Sequence, residues 1–254
     1  MTQSSLSDAP PPIELAPLWR EVLIARETQA RLAPVSPQDL PGLRLEHHIL
    51  PAATLSGDFV DYMALADGAV LFCLGDVSGH GMHAALFTPL MKVVFRGLGH
   101  ETFAIDLDAA LARFDEALRR TGTRCHAAVC LGVLAADRAQ LRLVGAAQFP
   151  PPFLQVGGTC RTIELVGKPL GLFQGAHYAE APVDLAPGAR LVVFSDGVLD
   201  GRRGDDEVRI EELSRRLAVV TGGCADLLSA SGVEPGAVRN DDVACLLIEC
   251  TATP

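Results

Sequence analysis

Eight short apolar runs, separated by Gly, Pro and Asp, are interrupted by helical patterns that come in blocks, and this order constrains the chain more than any other feature. Strand-like runs cover residues 43–50, 58–65, 69–74, 127–134, 140–144, 153–156, 190–194 and 243–249. Helical spacing of apolar residues marks 82–98, 107–120, 209–219 and a shorter stretch at 225–230. A doubly wound parallel sheet needs strand and helix to alternate steadily, and here they do not. The hairpin-like spacing around Ala136-Asp137-Arg138 favours antiparallel neighbours. The expected class is α+β: two packed antiparallel sheets with helices outside them.

The remaining organisation follows from composition. Residues 1–12, rich in Ser, Asp and Pro and ending in Pro10-Pro11-Pro12, offer little apolar surface and are expected to form a disordered tail. Residues 13–41 carry Leu15, Leu18, Trp19, Val22, Leu23 and Ala30 at helical spacing, then a connector broken by Pro34, Pro37 and Pro41. Residues 42–251 are expected to form one main domain, since 254 residues with 49% hydrophobic content suffice for one large core. The net charge of −10 argues against nucleic acid or an anionic membrane surface as the main partner. Seven scattered cysteines without a Cys-x-x-Cys pair read as free thiols of a reducing compartment. Together with the absence of an apolar run of about 20 residues, they make cytoplasmic localisation the expectation.

Four aspartates stand at glycine-rich strand ends: Asp58, Asp76, Asp196 and Asp241. An aspartate beside glycine is ordinarily a turn or cap residue. Four of them at strand ends, however, could converge at one end of a sheet sandwich, where their mutual repulsion calls for a cation. Hard carboxylates without a Cys or His ligand pattern select Mg²⁺ or Mn²⁺ over Zn²⁺. A carboxylate cluster of this size could hold two such ions about 3.5–4 Å apart, a spacing suited to phosphate-ester hydrolysis.

The ordered segments Ser56-Gly57-Asp58-Phe59-Val60-Asp61, Gly75-Asp76-Val77-Ser78-Gly79-His80-Gly81-Met82, Ser195-Asp196-Gly197-Val198 and Asn240-Asp241-Asp242-Val243 resemble the motifs of the SpoIIE/RsbU-type phosphatases, bacterial members of the PP2C (PPM) serine/threonine phosphatases. The resemblance runs from about residue 43 to 249 and implies a PP2C-like αββα sandwich with a two-metal Mn²⁺ or Mg²⁺ site. It implies that Asp76 bridges both ions, that Asp58 and the backbone carbonyl of Val77 hold one, and that Asp196 and Asp241 hold the other, with Asp242 as a neighbour of that site. The implied substrate is a phosphorylated STAS-domain anti-sigma-factor antagonist in a partner-switching pathway. The runner-up reading is a catalytically degenerate regulatory binding protein. In related proteins a preceding helix and the helix matching 82–98 are thought to form a switch, so the N-terminal helix is expected to meet its own domain, a second copy or a separate activator. Gln148 stands where the family often has His.

Other candidates carry weaker signals. His80 and His83 could donate a proton or touch phosphate, although loop histidines beside glycine are the more ordinary reading. Asp61 is balanced between metal chemistry and a backbone hydrogen bond at a strand end. His47 and His48 alternate on a strand and need no function. Lys92 and Arg96, at i and i+4, are expected on a solvated helix face.

Overall fold

The structure, a computed structural model, describes residues 15–200, 205–234 and 236–251. The expected tail at 1–12 lies outside the described residues. Helix α1 (Ala16–Leu32) is followed by strands β1 (Gln38–Leu40), β2 (Leu43–Leu50), β3 (Asp58–Ala64) and β4 (Val70–Val77). Helices α2 (Met82–Ala85), α3 (Thr88–Arg96) and α4 (Leu107–Arg120) come next. Strands β5 (Ala127–Leu134), β6 (Gln140–Ala146), β7 (Phe153–Val156), β8 (Thr159–Thr162), β9 (Ala181–Asp184) and β10 (Arg190–Phe194) then lead to α5 (Asp206–Leu217), α6 (Cys224–Ala230) and β11 (Val243–Cys250).

Two antiparallel sheets result. One has the order β1-β2-β11-β10-β7-β8 and the other β3-β4-β5-β6-β9. Successive side chains on a strand point to opposite faces, and the burial pattern obeys that rule. Val60, Tyr62, Phe72 and Leu74 meet Leu191, Val193, Ala244 and Leu246 between the sheets. Phe59, Leu71 and Cys73 pack outward against α3 and α4, while Val192, Phe194, Cys245 and Leu247 pack outward against α5 and α6. Three apolar layers therefore separate four layers of structure, the αββα arrangement expected.

Three strands escape the pattern in the sequence. β1 is three residues long and contains Asp39, β8 is the polar run Thr-Cys-Arg-Thr, and β9 contains Pro182. All three lie at sheet edges, where one side of the backbone needs no partner and proline is tolerated. The helix expected over 82–98 is two helices. Pro89 sits at the start of α3, where it lacks an N–H to continue the preceding turn but suits a new first turn. Asp106 and Asp205 cap α4 and α5, their side chains accepting from the backbone N–H of Ala109 and Val208.

Helix α1 has no buried residue, and Leu15, Leu18 and Ile24 are exposed. It is attached by polar contacts. The Gln29 side chain brackets the Ser56 peptide, Nε2 donating to Ser56 O at 2.7 Å and Oε1 accepting from Ser56 N at 3.0 Å; Nε2 also reaches Thr88 Oγ1 at 3.2 Å. The connector is held by the Tyr62 hydroxyl, which donates to Val35 O at 2.6 Å. No helix among the described residues is long and apolar enough to cross a membrane.

Candidate metal centre

The four aspartates meet at one end of the sandwich, two from each sheet. Asp58 opens β3 and stands directly opposite Asp76 in β4; side chains so paired have Cβ atoms about 4.5–5.5 Å apart. Both share the parity of Val60, Phe72 and Leu74, so both face the gap between the sheets. Asp196 opens a short 3-10 turn, Asp196–Leu199, immediately beyond β10, and Asp241 lies just before β11. From floor to rim, Asp58 is buried, Asp76 and Asp241 are half-buried and Asp196 is exposed.

Two glycines make the convergence possible. A Cβ on Gly57 would stand 2.8 Å from both Val77 O and Ala84 Cβ, so the absence of a side chain keeps the Val77 carbonyl uncovered. A Cβ on Gly197 would lie 2.1 Å from Asp242 O, so only glycine lets the turn after β10 close on the start of β11.

The electrostatics are those of a site with too much negative charge. Burial, and then the charge of Asp76, push the Asp58 carboxyl well above the usual carboxylate range, against the opposing hydrogen bond from Ser195. Burial, followed by Asp196, Asp241 and Asp242, raises Asp76 to about 7. Asp196 is raised by burial and then by Asp241 and Asp200. Asp241 is raised by burial, partly offset by the Asp242 backbone N–H and by His80. Asp200, raised by burial and by Asp241, adds a further carboxylate at the rim.

Asp58 Oδ1 is buried without a hydrogen-bond partner, one of few such atoms among the described residues. An ionised oxygen left so is costly unless a ligand meets it. Among the described residues, no three His, Cys, Asp or Glu side chains close into a ready-made metal shell. An open carboxylate array still suits a hard cation such as Mg²⁺, which is commonly bound through one or two carboxylates and keeps several waters.

The other candidates separate cleanly. Asp242 accepts from Ala52 N and Gly57 N, both at 2.7 Å, so both its oxygens serve the backbone. Asp61 lies three positions after Asp58, on the opposite face of β3, and is paired there with Lys92 and Arg96. The expectation of a solvated face is therefore corrected for Lys92, while Arg96 is exposed and reaches Asp61 from the edge of that face. Lys92 is buried and donates to Val60 O at 2.6 Å, because α3 lies flat on β3 and its inward face needs a counter-charge for Asp61. His83 is exposed, its ring 5.5 Å from that of Phe87, and His80 is exposed beside the rim. His48 is exposed, and His47 Nδ1 lies 3.2 Å from the Tyr62 hydroxyl. Gln148 is buried, donating to Pro150 O at 3.0 Å and Phe194 O at 2.8 Å, and so braces the end of β10 just before Asp196. Ser195, absent from the candidates the sequence offers, donates to Asp58 Oδ2 at 2.7 Å. Parity would have found it: Ser195 continues the inward set Leu191, Val193.

A family model described as Stage II sporulation protein E (SpoIIE) matches residues 66–251. The chain belongs to the SpoIIE family. That match covers Asp76, Asp196 and Asp241 and begins after Asp58. Protein IcfG of Synechocystis sp. is 24% identical over 203 residues, covering 70% of this chain and 32% of the relative. The phosphoserine phosphatase RsbP of Bacillus subtilis is 23% identical over 189 residues, covering 71% and 45%. This SpoIIE-family chain thus spans less than half the length of these curated relatives. Among solved structures, the RsbU and RsbW domains of Rv1364c from Mycobacterium tuberculosis match with a TM-score of 0.76 and 25% identity over 88% of this chain and 64% of that one. The catalytic domain of the serine/threonine phosphatase PstP, solved with two manganese ions, shares the fold at a TM-score of 0.55 and 17% identity, covering 83% and 99%. The two-sheet architecture is that of the PP2C phosphatases.

Proposed function

We propose that this chain is a metal-dependent protein phosphatase that removes phosphate from serine or threonine, and that its substrate is a phosphorylated STAS-domain anti-sigma-factor antagonist in a bacterial partner-switching pathway. The observation that carries the chemistry is the convergence of Asp58, Asp76, Asp196 and Asp241 from two sheets around a buried carboxylate oxygen that lacks a partner. The relationship to RsbP, a phosphoserine phosphatase by name, and the likeness to the RsbU domain support the substrate class.

In this reading Asp76 would serve both of two Mn²⁺ or Mg²⁺ ions, Asp58 and the Val77 carbonyl would hold one, and Asp196 and Asp241 would hold the other. Such ions would acidify a water for attack on phosphorus and neutralise charge on the transferring group. The chain's own groups supply the frame. Asp58 anchors the floor, away from solvent, while Asp196, Asp200 and His80 border an open rim wide to a phosphorylated side chain on another protein. No Cys-x5-Arg motif occurs in the sequence, so the nucleophile is water rather than a cysteine thiolate. Domain boundaries of 13–41 for the helix and connector and 42–251 for the phosphatase unit accompany this proposal.

The test is phosphate release from a phosphorylated STAS protein incubated with the chain and Mn²⁺. Turnover is expected only with metal, and Asp76→Asn or Asp196→Asn should lower it about 100-fold or more, since the ions contribute several kcal/mol to the transition state and each 1.36 kcal/mol is tenfold. Full activity in chelator, or in both variants, would reject the proposal. A chain that fails to bind Mn²⁺ calorimetrically would be the degenerate binding protein instead.

A further inference from the structure

The two halves of the carboxylate cluster belong to different sheets, so their separation depends on how one sheet sits on the other. Apolar packing between the sheets is non-directional, whereas hydrogen bonds fix distance and angle. Two buried polar side chains cross from sheet to sheet at the site. Ser195 Oγ, beyond β10, accepts from Ala244 N at 2.7 Å and donates to Asp58 Oδ2 at 2.7 Å on β3. Asp242, before β11, accepts from the N–H groups of Ala52 and of Gly57, the residue next to Asp58.

The direction of the Ser195 bond follows from the charge state that binds metal. A metal-binding Asp58 is ionised and can only accept, so with the Ala244 N–H donating to Ser195 Oγ the one hydroxyl proton goes to Asp58 Oδ2. Oδ2 is thereby committed and Oδ1 is the atom left without a partner. Resting on the metal site proposed above, we infer that Ser195 is a positioning residue, which holds the Asp58 carboxylate with Oδ1 free for the ion and fixes the β3 half of the site against the half that carries Asp196. Asp242 is the second pin of the same joint, setting the height of the Gly57-Asp58 turn. Neither residue touches substrate.

Groups that hydrogen-bond a metal-ligating side chain typically change metal affinity 10–100-fold when removed. The experiment is Mn²⁺ titration calorimetry on the full chain, with thermal melting in chelator and in Mn²⁺, for wild type, Ser195→Ala, Ser195→Cys and Asp58→Asn. Ser195→Ala should bind Mn²⁺ about 10–100-fold more weakly and lose part of the Mn²⁺-induced rise in melting temperature. Ser195→Cys keeps a weak donor at similar size and should fall between alanine and wild type. A drop in metal-free stability with wild-type Mn²⁺ affinity would reduce Ser195 to a packing residue and overturn the inference, as would an affinity order that ignores donor strength. The parent reading fails separately: wild-type Mn²⁺ binding by Asp58→Asn would remove Asp58 from the ligand set whatever Ser195 does. Should Ser195→Ala not fold, the cysteine variant alone decides, because its expected affinity lies below wild type at near-equal volume.

Discussion

Asp58 and Asp61 sit on the same strand, three residues apart, and are buried to almost the same degree, 3% and 1% exposed. Their surroundings are opposite. Asp61 faces α3, where Lys92 and Arg96 neutralise it and its own Oδ1 accepts from Tyr62 N at 2.9 Å. Asp58 faces the inter-sheet gap, where its charged neighbours are Asp76, Asp242 and Asp196 and its one side-chain donor is Ser195. An odd spacing on a strand puts the two on different faces, and each face has its own electrostatics. The fold can thus supply cations to a buried carboxylate on β3 and does so at Asp61. At Asp58 no cationic side chain among the described residues supplies a counter-charge, which is the condition of a site completed by an ion.

That contrast can be broken by exchanging charge for amide at each position. Asp61→Asn should give the largest effect on stability, about 3 kcal/mol lost on denaturant unfolding, because Lys92 is left buried with only a carbonyl partner. Its Mn²⁺ affinity should stay at the wild-type value, and a matching loss there would erase the distinction between the two carboxylates. Asp58→Asn should act in the other direction, raising metal-free stability by about 0.5–2 kcal/mol as repulsion at the site is relieved, while abolishing Mn²⁺-dependent turnover. A metal-free protein destabilised by this change would show that Asp58 is held by structure rather than reserved for an ion.

A pH slope probes the same site without a substitution, each unit of pH changing stability by at most about 1.4 kcal/mol for one group. Burial and neighbouring carboxylates hold Asp76 at about 7 in the fold against an ordinary 3.8. The folded state therefore retains a proton that the unfolded chain releases, so the stability of the metal-free protein should fall as pH rises from about 4 to about 7. Melting temperatures in chelator across that range measure it. Asp76→Asn should flatten the fall, Asp61→Asn should leave it in place, and saturating Mn²⁺ should suppress it by replacing the proton.

Much of the architecture was legible in the chain. The strand runs at 43–50, 127–134 and 153–156 coincide with β2, β5 and β7, the first through alternation at its start and the other two as nearly continuous apolar runs buried on both faces. The edge strands β1, β8 and β9 were not legible, since an edge needs only one neighbour and tolerates polar residues and proline. The site divides in the same way. Asp58, Asp76, Asp196 and Asp241 announce themselves through glycine-flanked strand ends, and the structure brings them together. Lys92 is buried where a solvated face was expected, because i and i+4 spacing with the exposed Arg96 says that two residues share a helix face but not what that face covers.

The sequence by itself determined the layering, the position of each aspartate at or beside a strand end, and that Asp58 and Asp61 take opposite faces of their strand, because alternation is a local property of the backbone. Only the tertiary structure decided which carboxylate receives a counter-charge. Lys92 and Arg96 reach Asp61 from 31 and 35 residues away, and Ser195 reaches Asp58 across 137. Charge pairing acts through space at a few ångströms, so it is fixed by how helix and sheets are laid against one another and leaves no periodic trace along the chain.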